Sequence, residues 1–184
     1  SDAVGKMSDI IHGKAKGIIV LCSGTPGTGK TLTAEVYSEF AKRPLYTVQC
    51  SQLGTDAKEL EKHLMTVLER ATRWNAILLI DEADVYIHER GTDIEQNAIV
   101  GVFLRLLEYY AGILFLTTNR VTIVDDAILS RASAHVKYGI TTGPDRVRLW
   151  SILLKQYGAP SDARFIGEAI EAFPEASGRS IRQL

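Results

Sequence analysis

Gly24-Thr25-Pro26-Gly27-Thr28-Gly29-Lys30-Thr31 is the stretch that decides the fold of this chain. It fits the pattern G-x-x-x-x-G-K-[ST] and follows the apolar run Ile18-Ile19-Val20-Leu21-Cys22. A strand that runs into a glycine-rich turn, with a helix opening behind it, points backbone N–H groups inward as an anion-binding nest. The helix N-terminus adds the positive end of its dipole. The stretch therefore predicts a nucleoside-triphosphate site. Lys30 is placed to reach the β- and γ-phosphates as a compact charge, and Thr31 to offer its hydroxyl to Mg²⁺. A glycine-rich turn without a ligand is the bland alternative, but every fixed position of the pattern is met in the right context.

The next informative stretch is Ala76-Ile77-Leu78-Leu79-Ile80-Asp81-Glu82. A buried apolar strand here delivers two carboxylates at its C-terminal end, where ligands collect in open parallel sheets. Asp81 suits an indirect or water-mediated role at Mg²⁺, and Glu82 suits activation of an attacking water. An acidic residue directly after the metal Asp favours hydrolysis over transfer to an acceptor hydroxyl. Asp81-Glu82-Ala83-Asp84 also spells the tetrapeptide of DEAD-type helicases, but a helicase needs a Ser-Ala-Thr segment after the following strand. That strand ends instead in Leu116-Thr117-Thr118-Asn119-Arg120. Asn119 is the best-placed residue there to sense a γ-phosphate or hold the water, although Asn is also common in ordinary turns.

Around these motifs, apolar runs alternate with helical patterns. Ile18–Ser23, Leu45–Cys50, Ala76–Asp81, Ile113–Thr118 and His135–Tyr138 read as strands. Leu60, Leu64, Val67, Leu68 and Ala71 recur at helical spacing, as do Ile99, Val102, Phe103, Leu106, Leu107 and Tyr110. The alternation predicts an α/β fold with a parallel sheet covered on both faces. After Gly143-Pro144 the strand signals stop. Asp145–Gly158, Ser161–Phe173 and a start at Ser177 read as helices, so we expect a nucleotide-binding domain over 1–140 and a helical unit over 141–184.

The 184 residues carry 21 Lys and Arg against 22 Asp and Glu, so no broad basic footprint supports nucleic-acid binding. The chain has no apolar stretch of membrane-spanning length. Cys22 and Cys50 both fall in expected strands and read as buried thiols in a reducing compartment, which points to an intracellular, cytoplasmic location. Both termini read as cuts within a longer protein. His12, His63, His88 and His135 show no metal-ligand spacing. Trp74 and Trp150 are expected to pack, Phe103, Leu106, Leu107 and Tyr110 to form core, and Glu89–Asp93 to be a mobile polar loop.

Taken together, these motifs resemble the AAA family of ATPases. The resemblance rests on Gly24–Thr31, on Ile77–Asp84, and on Thr117-Thr118-Asn119-Arg120 with Asp125-Asp126-Ala127-Ile128-Leu129-Ser130-Arg131, which looks like the family's second region of homology. It implies a P-loop parallel sheet flanked by helices, followed by part of an all-helical AAA lid. It implies ATP and Mg²⁺ as ligands, with Gly24, Thr25, Pro26, Gly27, Thr28, Gly29, Lys30, Thr31 and Leu32 around the nucleotide. Thr31 and Asp81 fall at the metal, Glu82 and Asn119 (sensor 1) at the hydrolytic water. Arg131 matches the arginine finger that reaches a neighbouring subunit's nucleotide. Ser177-Gly178-Arg179-Ser180-Ile181-Arg182 matches the opening of the lid helix, where Gly178 and Arg179, or Arg182 in another register, would face the nucleotide. The implied partners are ATP and ADP, further copies of the chain in a ring, commonly a hexamer, and a protein substrate.

Three departures qualify what the resemblance implies. Ser51-Gln52-Leu53-Gly54-Thr55 runs straight into a helix, without the longer aromatic-bearing loop of relatives that thread polypeptide. Arg131 is followed by Ala132-Ser133-Ala134-His135, so only one arginine serves the finger region. The region ahead of Gly17 is short, and the adenine-contacting segment is read there as a partial one at Ile10–His12. Two other roles fit the same motifs: a nucleotide-switched assembly module with slow turnover, and a nucleic-acid motor or loader.

Overall fold

The computed structural model describes residues 17–120, 124–139, 143–156, 158 and 162–172. Five strands, β1 (Ile18–Gly24), β2 (Leu45–Gln49), β3 (Ile77–Asp81), β4 (Ile113–Thr118) and β5 (Ala134–Tyr138), form one parallel sheet in the order β2-β3-β4-β1-β5. The helices are α1 (Lys30–Ala41), α2 (Ala57–Arg73), α3 (Asp84–Ile87), α4 (Ile94–Glu108), α5 (Asp126–Arg131), α6 (Gly143–Gln156) and α7 (Ala163–Ala172). A single 3₁₀ turn covers Cys50–Gln52.

The inner strands are continuous apolar runs because both faces of a parallel sheet are covered. Successive side chains point to opposite faces. Leu21, Leu78, Ile80, Leu114 and Leu116 enter the larger core with α2 and α4, whereas Cys22, Ile77, Leu79 and Phe115 face α1 through Ala34. Asp56 starts α2 by accepting from the amides of Lys58 and Glu59 at 2.8 and 2.9 Å. Asp93 does the same for α4 with Glu95 and Gln96 at 3.0 and 3.1 Å. Such caps satisfy amides that have no partner within the helix. Leu60, Leu64, Val67, Leu68 and Ala71 are the buried stripe of α2, as the spacing predicts.

From β1 the chain crosses to β2 at one edge and returns through β3 to β4, and from β4 it passes to β5 on the other side of β1. The connections therefore diverge between β1 and β4, and the carboxyl ends of those strands form the crevice where doubly wound sheets bind ligands. Pairing of Cys22 with Thr117 and of Ser23 with Thr118 sets the glycine-rich loop beside the tip of β4. α6 and α7 build a separate small core from Trp150 and Ile166, with Leu149, Leu154, Ala169 and Ile170 against them.

Three local expectations differ from the structure. Cys50 opens the 3₁₀ turn rather than ending β2, and it is half-buried, whereas Cys22 is fully buried. Trp74 is 52 % exposed at the C-cap of α2, with its ring edge against Tyr46, because the helix ends before its side chain reaches the core. The Glu89–Asp93 segment is tied down instead of free. Arg90 bonds Asp125, and Asn97 closes a pair of bonds on the backbone of Gly91 at 3.0 and 2.7 Å.

Candidate nucleotide site

The loop from Gly24 to Gly29 owes its shape to residues that tolerate unusual backbone angles. Gly27 and Gly29 have φ of 78° and 96°, a region in which a Cβ is strained. At Gly24 the constraint is space, since a Cβ there would lie 2.6 Å from the carbonyl oxygen of Tyr138 on β5. Thr28 Oγ1 donates to Thr25 O at 2.8 Å and closes the turn. Lys30 is buried, and its ammonium donates to Gly24 O and Thr25 O at 2.8 Å each. The cation is thus already held across the mouth of the loop. Thr25 and Pro26 are exposed at its rim, and Leu32 is exposed in the first turn of α1.

The two carboxylates at the end of β3 play different parts. Asp81 Oδ1 accepts from Thr31 Oγ1 at 3.1 Å and from Thr117 Oγ1. Thr31 and Asp81 are thereby brought together, hydroxyl against carboxylate, which is the oxygen donor set that suits Mg²⁺. Glu82 takes a left-handed backbone with φ of 57°, uncommon for a residue with a Cβ. Two bonds to one residue hold it there: Glu82 N donates to Thr117 Oγ1 at 3.0 Å, and Ala83 N donates to Thr117 O at 2.9 Å. The sharp turn separates Glu82 in direction from Asp81. Strained residues of this kind cluster at functional sites.

The tip of β4 therefore contributes more than the sequence suggests. Thr117 and Thr118, both buried, supply the contacts to the acidic turn, since Thr118 Oγ1 donates to Asp84 Oδ1. Asn119 stands exposed one residue further on, beyond the Ser23–Thr118 pair. A Thr-Thr pair at the end of an apolar strand is the sequence signal that could have drawn attention to these hydroxyls.

Three further arrangements support the site. Ser23 Oγ, near the end of β1, is 2.8 Å from His135 Nε2 on β5. Burial, and then the charge of Lys137, lower the pKa of His135 below its ordinary value. Tyr138 Oη bonds Thr33 Oγ1, linking β5 to α1. Tyr86, buried and stacked on Phe103, aims its hydroxyl at Cys50 O and Gly54 O, 2.9 Å from each. It pins the loop after β2 to the helix that follows the acidic turn. None of these partners has a pattern that sequence spacing reveals.

Arg131 closes α5, which packs against α4. Its guanidinium donates to Ala127 O at 3.1 Å and pairs with Glu108 Oε2 at 3.7 Å. Its contacts within the chain are thus with α4 and α5. Gly178, Arg179 and Arg182, and Ile10–His12, lie outside the described residues.

The loop, its buried lysine and the Thr31–Asp81 pair define a P-loop nucleotide-binding protein. The model of the ATPase family associated with various cellular activities (AAA) matches residues 20–140, and the chain belongs to that family. It is 26 % identical over 174 residues to a putative 26S proteasome regulatory subunit homolog, MJ1494, of Methanocaldococcus jannaschii, covering 89 % of this chain and 46 % of that protein. It is 28 % identical over 177 residues to Fidgetin-like protein 1 of Drosophila melanogaster, covering 90 % of this chain and 34 % of the relative. The chain thus spans less than half of either relative. Among solved structures, the FIGL-1 AAA domain in complex with ADP superimposes with a TM-score of 0.69 at 22 % identity, over 97 % of this chain and 62 % of that one. A chain of the E. coli MS115-1 HORMA:CdnC:Trip13 complex gives a TM-score of 0.66 at 19 % identity, over 92 % of this chain and 67 % of that one. These two likenesses bear on the fold, a P-loop sheet with additional helices like an AAA lid.

Proposed function

We propose that the chain binds ATP with Mg²⁺ and hydrolyses it, and that it does so as one subunit of a ring, commonly a hexamer, that remodels a protein partner. The observation that carries this reading is the convergence of Thr31, Thr117 and Glu82 on the end of β3 beside the glycine-rich loop. In this reading Gly24–Gly29 present amides to the phosphates, and Lys30 exchanges its carbonyl partners for phosphate oxygens. Thr31 and Asp81 are the residues that would hold Mg²⁺. The ion supplies neutralisation of charge on the phosphate oxygens.

Glu82 accepts a proton from the attacking water. The water oxygen bonds to the γ-phosphorus, the bond to the β,γ-bridging oxygen breaks, and the electron pair stays with ADP. Asn119, exposed at the mouth, helps hold the water. Arg131, from the adjacent subunit, stabilises the charge that develops, an effect worth on the order of 10³–10⁵ in rate. The nucleotide-binding domain spans 1–140 and the lid 141–184, with Gly178 and Arg179 assigned to the lid side of the nucleotide. The reported ADP complex of the FIGL-1 domain, which shares the fold, supports an adenine nucleotide as ligand. A protein partner is the family's usual substrate, and the balanced charge of the chain gives no support to nucleic acid.

Calorimetry and turnover test this reading together. Lys30→Ala abolishes binding of magnesium-loaded ATP, while Glu82→Gln binds normally and loses hydrolysis. Equal turnover in wild type and Glu82→Gln overturns the catalytic assignment and favours a nucleotide switch.

A further inference from the structure

Asp125 is the most deeply buried carboxylate among the described residues, with only 3 % of its surface exposed, and nothing in the hydrolytic reading uses it. It sits at the N-terminus of α5 and accepts from the Ala127 amide at 2.8 Å. Its other partner comes from the segment that follows α3. Arg90 Nε donates to Asp125 Oδ2 at 2.8 Å, Arg90 N donates to the same oxygen at 3.4 Å, and Arg90 Nη2 reaches Oδ1 at 3.5 Å. Backbone contacts run alongside, with Asp125 N donating to Ile87 O at 2.8 Å and Val124 bridging to His88. Burial alone pushes the Asp125 pKa up, but the bonds from Arg90 and the Ala127 amide, with the charge of Arg90, bring it below its ordinary value.

The bonds continue to the far end of the same short helix. Ala127, whose amide donates to Asp125, also accepts at its carbonyl from Arg131 Nη1 at 3.1 Å. A line of hydrogen bonds therefore runs from Arg90 through Asp125 and Ala127 to Arg131. An isolated helix of α5's length is not stable in water, so its direction is set by its anchors. At ~1.5 Å rise per residue, Arg131 lies roughly 9 Å along the axis from Asp125, so a swing of about 10° displaces it by ~1.5 Å. A misplacement of about 1 Å can cost on the order of 10² in rate where charge must be met in a transition state.

We infer that Arg90 and Asp125 are positioning residues that aim α5, and with it Arg131, at the nucleotide of the neighbouring subunit. The pair acts through Arg131 and touches no nucleotide itself. It also ties that aim to the segment just after the acidic turn, because Arg90 follows α3 by only a few residues. This inference rests on the shared-site reading above.

A mixed-subunit assay in the full-length protein separates the two. Glu82→Gln subunits hydrolyse nothing themselves but keep Arg131, whereas Arg131→Ala subunits keep Glu82 but offer no finger. Each is inactive alone, and mixing them restores turnover if the site is shared. An inactive mixture overturns the shared site and this inference with it. If the mixture is active, Arg90→Ala is added to one partner at a time. Placed on the Glu82→Gln donor, it cuts restored turnover at least tenfold. Placed on the Arg131→Ala acceptor, it changes turnover less than twofold. Arg90→Lys on the donor, which keeps the charge but not the two-pronged grip, gives an intermediate loss and covers the case in which Arg90→Ala folds poorly. Equal losses on both sides, no loss on either, or loss of nucleotide binding by the donor overturns the assignment.

Discussion

The Thr117 hydroxyl donates to Asp81 Oδ1 and accepts from the amide of Glu82, so one side chain on β4 fixes two consecutive residues at the end of β3. The bond joins the tips of β3 and β4, next to the crevice between β4 and β1. It also orients an oxygen that Thr31 shares from the glycine-rich loop.

Thr117→Val removes the hydroxyl at nearly constant volume. Asp81 then loses a donor and the Glu82 amide loses its acceptor, which costs about 1–3 kcal/mol for a buried polar group left unpaired. We expect steady-state turnover to fall roughly tenfold or more, with ATP affinity changed less than threefold. Unaltered turnover would show that Glu82 keeps its place without Thr117.

Glu82 holds a left-handed backbone that costs about 1–2 kcal/mol for an ordinary L-residue, and asparagine accepts that conformation more readily. Glu82→Asn is therefore expected to unfold at the same temperature as wild type or slightly above it. Hydrolysis should drop by about 10²–10⁴, the usual contribution of a general base. A clear fall in melting temperature, read by circular dichroism, would mean that the side chain rather than the backbone dominates there.

Tyr86→Phe withdraws the proton that serves Cys50 O and Gly54 O. Stability should fall by about 1–2 kcal/mol. Hydrogen exchange should rise across residues 50–56 while the amides of β1 and β4 stay protected. Uniform loss of protection through the sheet would contradict a local clasp.

His135 gives the structure a pH dependence of defined sign. Its folded pKa lies below the ordinary value of ~6.5, so between the two values the unfolded chain binds more protons than the folded one. Stability then rises with pH across that interval, is complete above ~6.5 and declines as the solution is acidified. Melting temperatures from pH 5 to 8 should follow this slope, and His135→Gln should flatten the part of it that belongs to this residue.

The sheet and the phosphate loop were legible because their signals are local. Strand ends came within one residue of their observed positions, since buried parallel strands are unbroken apolar runs and glycine marks the turn. Asp81 and Thr31 were legible for the same reason, each being fixed by its place in a motif. Thr117, Tyr86, Arg90 and His135 were not. Each acts on a residue many positions away in sequence, and no periodicity encodes such pairings. The Glu89–Asp93 segment is the clearest case, because its polar composition reads as a loose loop, yet Arg90 is anchored to Asp125 and Gly91 to Asn97.

One contact near the phosphate loop reaches further than the loop itself. Tyr138 crowds Gly24 with its backbone and grips Thr33 with its hydroxyl, and a few residues later the same chain enters α6. The strand that precedes the helical pair in sequence is therefore also a wall of the glycine-rich loop. In the proposed ring, a load carried by those helices would bear next on β5, and so on the glycine-rich loop that Tyr138 borders.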